Sequence, residues 1–207
     1  MPDTLPIVII VDDDEGVRYG LLDLMESVGL GCRTYSTVQD FLKDGLPDAP
    51  CCLVLDVRLP GQSGLELQQR LVSGGAEVPI IFITGHADVQ MSVRAMKAGA
   101  VEFLPKPFRE QDLLEAVHSA IDKSRVARGK KAKDEVLTQR FAELTTRERE
   151  ILSYVTSGRL NKQIAADLGV AEITVKVHRA QVMRKMGARS LADLVRMADQ
   201  LGLSPRT

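Results

Sequence analysis

Five short apolar runs recur through the first 124 residues: Ile7–Val11, Cys32–Tyr35, Cys51–Leu55, Ile80–Thr84 and Val101–Leu104. Between them the apolar positions return every three or four residues. Val17, Leu21, Leu24, Met25 and Val28 form one such stripe, stopped by Gly29. Val89, Val93 and Met96 form another, ended by Gly99, and Leu113, Leu114, Val117 and Ile121 a third. Short strands that are apolar on both faces, alternating with amphipathic helices, predict a parallel sheet covered on two sides. The expectation for residues 1–124 is an α/β, doubly wound (βα)5 domain.

From Leu144 the period is helical only. Thr145-x-x-Glu148 fits a capping box, and the helix behind it carries Ile151, Leu152 and Val155 before Gly158. A second helix starts near Asn161, carries Ile164, Ala165 and Leu168, and stops at Gly169. A longer one follows from Glu172 to Met186, and a fourth after Ser190 with Leu191, Leu194, Val195 and Ala198. Two short helices joined by a tight glycine turn, then a longer basic helix, predict a small all-α helix-turn-helix domain over residues 142–207. The intervening 125–141 holds six Lys and Arg residues and is interrupted by Gly129, which predicts a basic, partly helical linker.

Charge sharpens that division. The net charge of −1 conceals 19 acidic against 10 basic residues before position 125 and 9 against 17 after it, so the two parts carry −9 and +8. A basic second domain points to a polyanionic partner. No apolar run reaches membrane-spanning length, and "MPDTLP" lacks the features of a secretory signal. Cys32, Cys51 and Cys52 lie in strand-like runs and read as buried thiols of a reducing, cytoplasmic compartment. No membrane partner is expected.

In a doubly wound sheet, ligands sit beyond the carboxyl ends of the strands. The first strand ends in Asp12 and Asp13, the third in Asp56, the fourth in Thr84, and the fifth runs into Lys106. Two carboxylates about 5 Å apart repel by roughly 3 kcal/mol at an effective dielectric near 20, so the acidic cluster calls for a cation. Mg²⁺ (or Mn²⁺) suits a site of carboxylates completed by water and phosphate. Asp14 and Glu15 fall in a solvated first helical turn, where acidic groups favour the dipole.

The segments "VDDDEGVR", "LVLDVRLPGQSG", "FITGHAD" and "MKAGAVEFLPKPF", in that order, resemble the receiver domain of bacterial response regulators. The resemblance implies that Asp56 accepts a phosphoryl group from a sensor histidine kinase. It implies a Mg²⁺ site made by Asp12, Asp13, Asp56 and the backbone carbonyl of Arg58. Thr84 and Lys106 match the residues that contact the phosphoryl oxygens, Phe103 the aromatic switch that follows Thr84, and Lys106–Pro107 a cis bond.

The second domain, from "LTTREREIL" through "NKQIAADLGVAEITVKVHRAQVMRKM" to "SLADLV", resembles the LuxR/FixJ-type DNA-binding domain. The order of the two domains is that of FixJ-type regulators. On the long helix, spacing turns Val175, Val182 and Met186 to the core and leaves Lys176, Val177, Ala180, Gln181 and Arg184 outward. Lys176 and Val177 are candidate base readers, lysine for guanine and valine for a thymine methyl. Lys162, Thr174 and Arg179 are candidate phosphate contacts. The implied partners are the cognate kinase, promoter DNA, RNA polymerase and, on phosphorylation, a second copy of the chain. Two other classes stay open at this point: a phosphate-independent DNA-binding protein with a docking receiver, and a Mg²⁺-dependent phosphatase using Asp56. Against the latter, Arg58 stands where such enzymes carry a second aspartate.

Overall fold

The computed structural model describes residues 4–86 and 88–203; Met1–Asp3, Ala87 and Ser204–Thr207 lie outside the described residues. The chain divides into two compact units between Arg128 and Gly129.

The first unit alternates β1 (Ile7–Val11), α1 (Glu15–Ser27), β2 (Gly31–Tyr35), α2 (Val38–Asp44), β3 (Cys51–Asp56), α3 (Gly64–Ser73), β4 (Ile80–Thr84), α4 (Val89–Lys97), β5 (Glu102–Pro105) and α5 (Glu110–Ala142). All strand pairs are parallel, in the order β2-β1-β3-β4-β5. The two-residue period of each strand divides its side chains between two cores. Ile9, Leu53, Leu55 and Phe82 pack with Phe41, Leu67 and Ala95 on one face. Val8, Ile10, Val54 and Ile83 pack with Leu21, Met25, Leu113 and Val117 on the other. Because both faces are covered, β3 and β4 are buried along their whole length. Cys51 and Cys52 are buried and Cys32 half-buried, all as free thiols. Burial pushes Cys32 up to about 12, which keeps it protonated and inert.

Two elements depart from the periodicity. The stripe Val89, Val93 and Met96 of α4 faces solvent, with Val89 78% exposed, while Ala95 is the buried residue of that helix and Met91 packs against the same core. α4 has apolar residues on two faces, and the one with Met91 and Ala95 lies against the sheet. Residues 125–141, expected as a partly helical linker, lie within the unbroken α5. A single glycine costs a helix about 1 kcal/mol, and the Ala, Arg, Lys and Glu residues around Gly129 favour helix. Ser124 Oγ accepts from the Cys51 amide at 3.1 Å and Arg128 pairs with Asp48, so this helix is tied to the first unit up to its border.

The second unit holds the end of α5, then α6 (Thr146–Thr156), α7 (Asn161–Leu168), α8 (Glu172–Met186) and α9 (Leu191–Gln200). Leu137, Ile151, Leu152, Val155, Ile164, Val175, Val182, Met186 and Leu194 form its core. The capping box at Thr145 and Glu148 is present. Gly169 ends α7 and Gly187 ends α8, both in the left-handed region that an L side chain disfavours (φ 64 and 71°). Arg140 donates to the Met186 carbonyl at the last turn of α8.

Candidate functional site

Parallel pairing brings the carboxyl ends of β1, β3, β4 and β5 to one rim, and the predicted side chains gather there. Asp12 is wholly buried, Asp56 and Thr84 nearly so, and Asp13 is exposed. One carboxylate oxygen from each of Asp12, Asp13 and Asp56 can be chosen so that all three lie within 4.8 Å of one another. Lys106 Nζ reaches between two of them, donating to Asp12 Oδ2 at 2.6 Å and to Asp56 Oδ2 at 3.1 Å. The other oxygens meet the backbone: Asp12 Oδ1 accepts from the Asp14 amide at 2.9 Å and Asp56 Oδ1 from the Arg58 amide at 3.0 Å. Three carboxylates facing one ammonium leave a surplus of negative charge around hard oxygen donors. That donor set fits a small divalent cation.

The electrostatics follow from this geometry. Burial pushes the Asp12 carboxyl above its ordinary value, and the Lys106 ammonium only partly offsets it. Burial pulls the Lys106 ammonium down, but its bonds to Asp12 and Asp56 outweigh that and hold it above the usual lysine range. Lys106 therefore stays charged. Its backbone is fixed as well: its amide donates to the Thr84 carbonyl at 2.7 Å, and the Lys106–Pro107 bond is cis. Thr84 Oγ1 accepts from the His86 amide at 3.3 Å. Phe103 is half-buried against Phe82, ring centroids 6.3 Å apart.

Two residues at this rim were not singled out from the sequence. Arg18 Nη1 donates to the Asp12 carbonyl at 2.8 Å and anchors the chain as it leaves β1. Gly64 opens α3 so close beneath the rim that a Cβ there would collide with the Asp56 carbonyl oxygen and meet Leu55. The glycine of "QSG" carried that signal, because a helix-opening glycine after a capping serine often marks a close backbone approach. Asp14 has a more definite role than its solvated position suggested: its side chain caps α1 by accepting from the Gly16 and Val17 amides.

In the second unit, α7, the turn at Gly169 and α8 form the helix-turn-helix. Lys162, Lys176, Val177 and Arg184 are exposed, Thr174 and Gln181 half-exposed, and Val175, Val182 and Met186 buried. Lys176 pairs with Glu172 one turn back at 3.1 Å. Arg179 is half-buried and donates to Asn161 Oδ1 at 3.1 Å, so it braces α7 on α8 besides any role toward a ligand. Beneath them lies an ion pair that periodicity could not reveal. Glu148 is 1% exposed and accepts from Lys185 Nζ at 2.6 Å and from the Thr145 amide at 2.8 Å. Burial pushes its carboxyl up, but Lys185 and Thr145 pull harder and leave it below the usual carboxylate range.

A doubly wound sheet with an acidic rim and a fixed lysine, followed by a helix-turn-helix unit, is the architecture of a response regulator with a receiver and a DNA-binding domain. Residues 8–118 match the family "Response regulator receiver domain", and residues 142–198 match "Bacterial regulatory proteins, luxR family". Nodulation protein W of Bradyrhizobium diazoefficiens is 50% identical over 201 residues, covering 97% of this chain and 88% of that protein. Transcriptional regulatory protein FixJ of Azorhizobium caulinodans is 45% identical over 206 residues, covering 99% and 97%. The solved structure of response regulator StyR has a TM-score of 0.86 at 47% identity, covering 95% of this chain and all of that one. The chain belongs to the two-component response regulators of the FixJ type, with a receiver domain and a LuxR-type DNA-binding domain.

Proposed function

We propose that this response regulator is switched by transfer of a phosphoryl group to Asp56, and that the switch controls its binding to promoter DNA. The observation that carries the reading is the environment of Asp56: a nearly buried carboxylate at the end of β3, bonded to Lys106 and facing Asp12. A carboxylate oxygen of Asp56 attacks the phosphorus of the kinase phosphohistidine. The phosphorus–nitrogen bond breaks, the imidazole leaves, and an acyl phosphate remains. Lys106 and the Thr84 hydroxyl are the groups that take the new phosphoryl oxygens, and Phe103 follows Thr84. Asp12, Asp13, Asp56 and the Arg58 carbonyl are the ligands for Mg²⁺ (or Mn²⁺), which supplies positive charge to the phosphoryl oxygens when bound.

The rest of the reading concerns partners. Residues 1–124 serve as receiver, 125–141 as connector and 142–207 as DNA-binding domain. The cognate sensor kinase supplies the phosphoryl group, and the exposed apolar side chains of α4 favour a homodimer on phosphorylation. Lys162, Thr174 and Arg179 hold the phosphate backbone of duplex DNA. Lys176, Val177, Gln181 and Arg184 face the bases, and RNA polymerase acts downstream in the cytoplasm. The chain acts as a switch rather than an enzyme on small substrates; its chemistry is confined to its own phosphorylation and slow dephosphorylation.

Intact-mass measurement after incubation with Mg²⁺ and a small phosphodonor such as acetyl phosphate tests the central step. The wild type should gain one phosphoryl group, and Asp56→Asn none. Equal labelling of the two would overturn the assignment.

A further inference from the structure

The outward face of α8 carries an apolar stripe that the charged readers alone do not explain. Ile173 is 67% exposed and Val177 51% exposed. They stand one turn apart, and Ala180, also exposed, continues the line toward Arg184. A lone exposed aliphatic residue is ordinary on a protein surface. Two β-branched residues in register are less so, because such side chains lower helix propensity and here gain no burial in return. Their surroundings are cationic: Lys162, Lys176 and Arg184 are exposed nearby in the helix-turn-helix, and Glu172 is the one acidic residue of α8.

We propose that Ile173, with Val177, reads thymine methyl groups in the major groove, and that Ile173 is a specificity-determining residue of this regulator. The proposal deepens the DNA-binding function proposed above and rests on it. In a helix-turn-helix, the N-terminal residues of the recognition helix reach the base edges, and Ile173 is the second residue of α8. Thymine is the base that presents a methyl group in that groove. Along the helix axis Ile173 and Val177 are separated by about 6 Å, and stacked base pairs by about 3.4 Å. For a helix inclined in the groove, the two side chains therefore address methyl groups one or two base pairs apart. The flanking cations suit the phosphates on either side, which gives the patch its occupant: duplex DNA.

The test begins with selection of binding sites from a random duplex library by the phosphodonor-treated full-length chain. Each thymine of the enriched half-site is then replaced by deoxyuridine, which removes only the methyl group, and affinity is read by fluorescence anisotropy. At one position the wild type should lose about fourfold, the equivalent of one buried methylene. Ile173→Ser should bind the thymine and deoxyuridine duplexes alike at that position, and Ile173→Val should restore the discrimination. Val177→Ser should abolish discrimination at a second position, one or two base pairs away. If Ile173→Ser keeps the wild-type preference at every thymine, or if no thymine is sensitive, the inference is wrong while DNA reading stands. A selection that enriches no sequence would remove the DNA-binding function itself, and the inference with it.

Discussion

The rim of the sheet and the outer face of α8 are the two surfaces proposed to act in this protein, and they are built on opposite terms. At the rim, Asp12, Asp56 and Lys106 are drawn out of water and satisfy one another and the backbone. On α8, Lys176, Val177 and Arg184 stand in solvent, with a surface pair to Glu172 as the main local tie. A buried charge that loses its partner is costly, whereas an exposed pair contributes little. Substitution at the rim is therefore expected to disturb the fold along with any chemistry there, and substitution on the outer face of α8 is expected to leave the fold nearly unchanged.

The largest expected effect follows from removing the ammonium that bonds to both buried carboxylates. Lys106→Met leaves two buried carboxylates facing each other and should cost the first unit about 3 kcal/mol, measured by urea denaturation in the presence of chelator. Adding Mg²⁺ should recover part of that loss, since binding to the folded state stabilises it. An unchanged stability would mean that the carboxylates are solvated, and the contrast between the two surfaces would collapse.

A smaller effect is expected where the second unit hides its own charge. Glu148→Ala removes the buried partner of Lys185 and half of the α6 capping box, and should cost about 1–3 kcal/mol, read by amide hydrogen exchange in α6 and α8. The sign of its pH dependence is fixed. Since the folded carboxyl lies below its unfolded value, its contribution is present above the ordinary carboxylate range and fades as pH falls through the folded value. Glu148→Gln should flatten that acid-side loss of protection.

On the outer face the expectation reverses. Lys176→Ala should change stability by less than about 0.5 kcal/mol, yet cost about 1–3 kcal/mol of DNA affinity concentrated at one base pair. Loss spread evenly over all sequences would make Lys176 a phosphate contact. The smallest effect tests the helix that borders both units. Gly129→Ala meets no neighbouring atom within 4 Å and should raise helix stability by up to about 1 kcal/mol, seen as slower exchange around residue 129.

These contrasts also account for what was legible in the sequence. Asp12, Asp56, Thr84 and Lys106 could be found because carboxylates, a hydroxyl and an ammonium at the ends of apolar strands contradict their surroundings, and parallel topology sends all strand ends to one edge. Helix boundaries marked by capping chemistry were equally visible, and α8 spans Glu172–Met186 as its pattern predicts. The α4 stripe was misleading because periodicity reports that a helix has an apolar face without reporting what covers it. Glu148 looked like a cap and nothing more; its burial depends on Lys185, 37 residues away, which no local pattern connects. Gly64 escaped because it is defined by a close approach in three dimensions.

The last turns of α5 have a bearing on how such regulators can be recombined. Leu137 and Phe141 belong to the core of the second unit, and Arg140 closes the carboxyl end of α8 through the Met186 carbonyl. Cut at residue 142, where the family match begins, a transplanted output module would leave behind part of its own floor and the clasp on its reading helix. A seam between Arg128 and Val136 keeps those parts with the cargo they serve. Chimaeras joined there should inherit their new promoter preference intact, and exchange of outputs between genes would be least damaging across that short basic stretch.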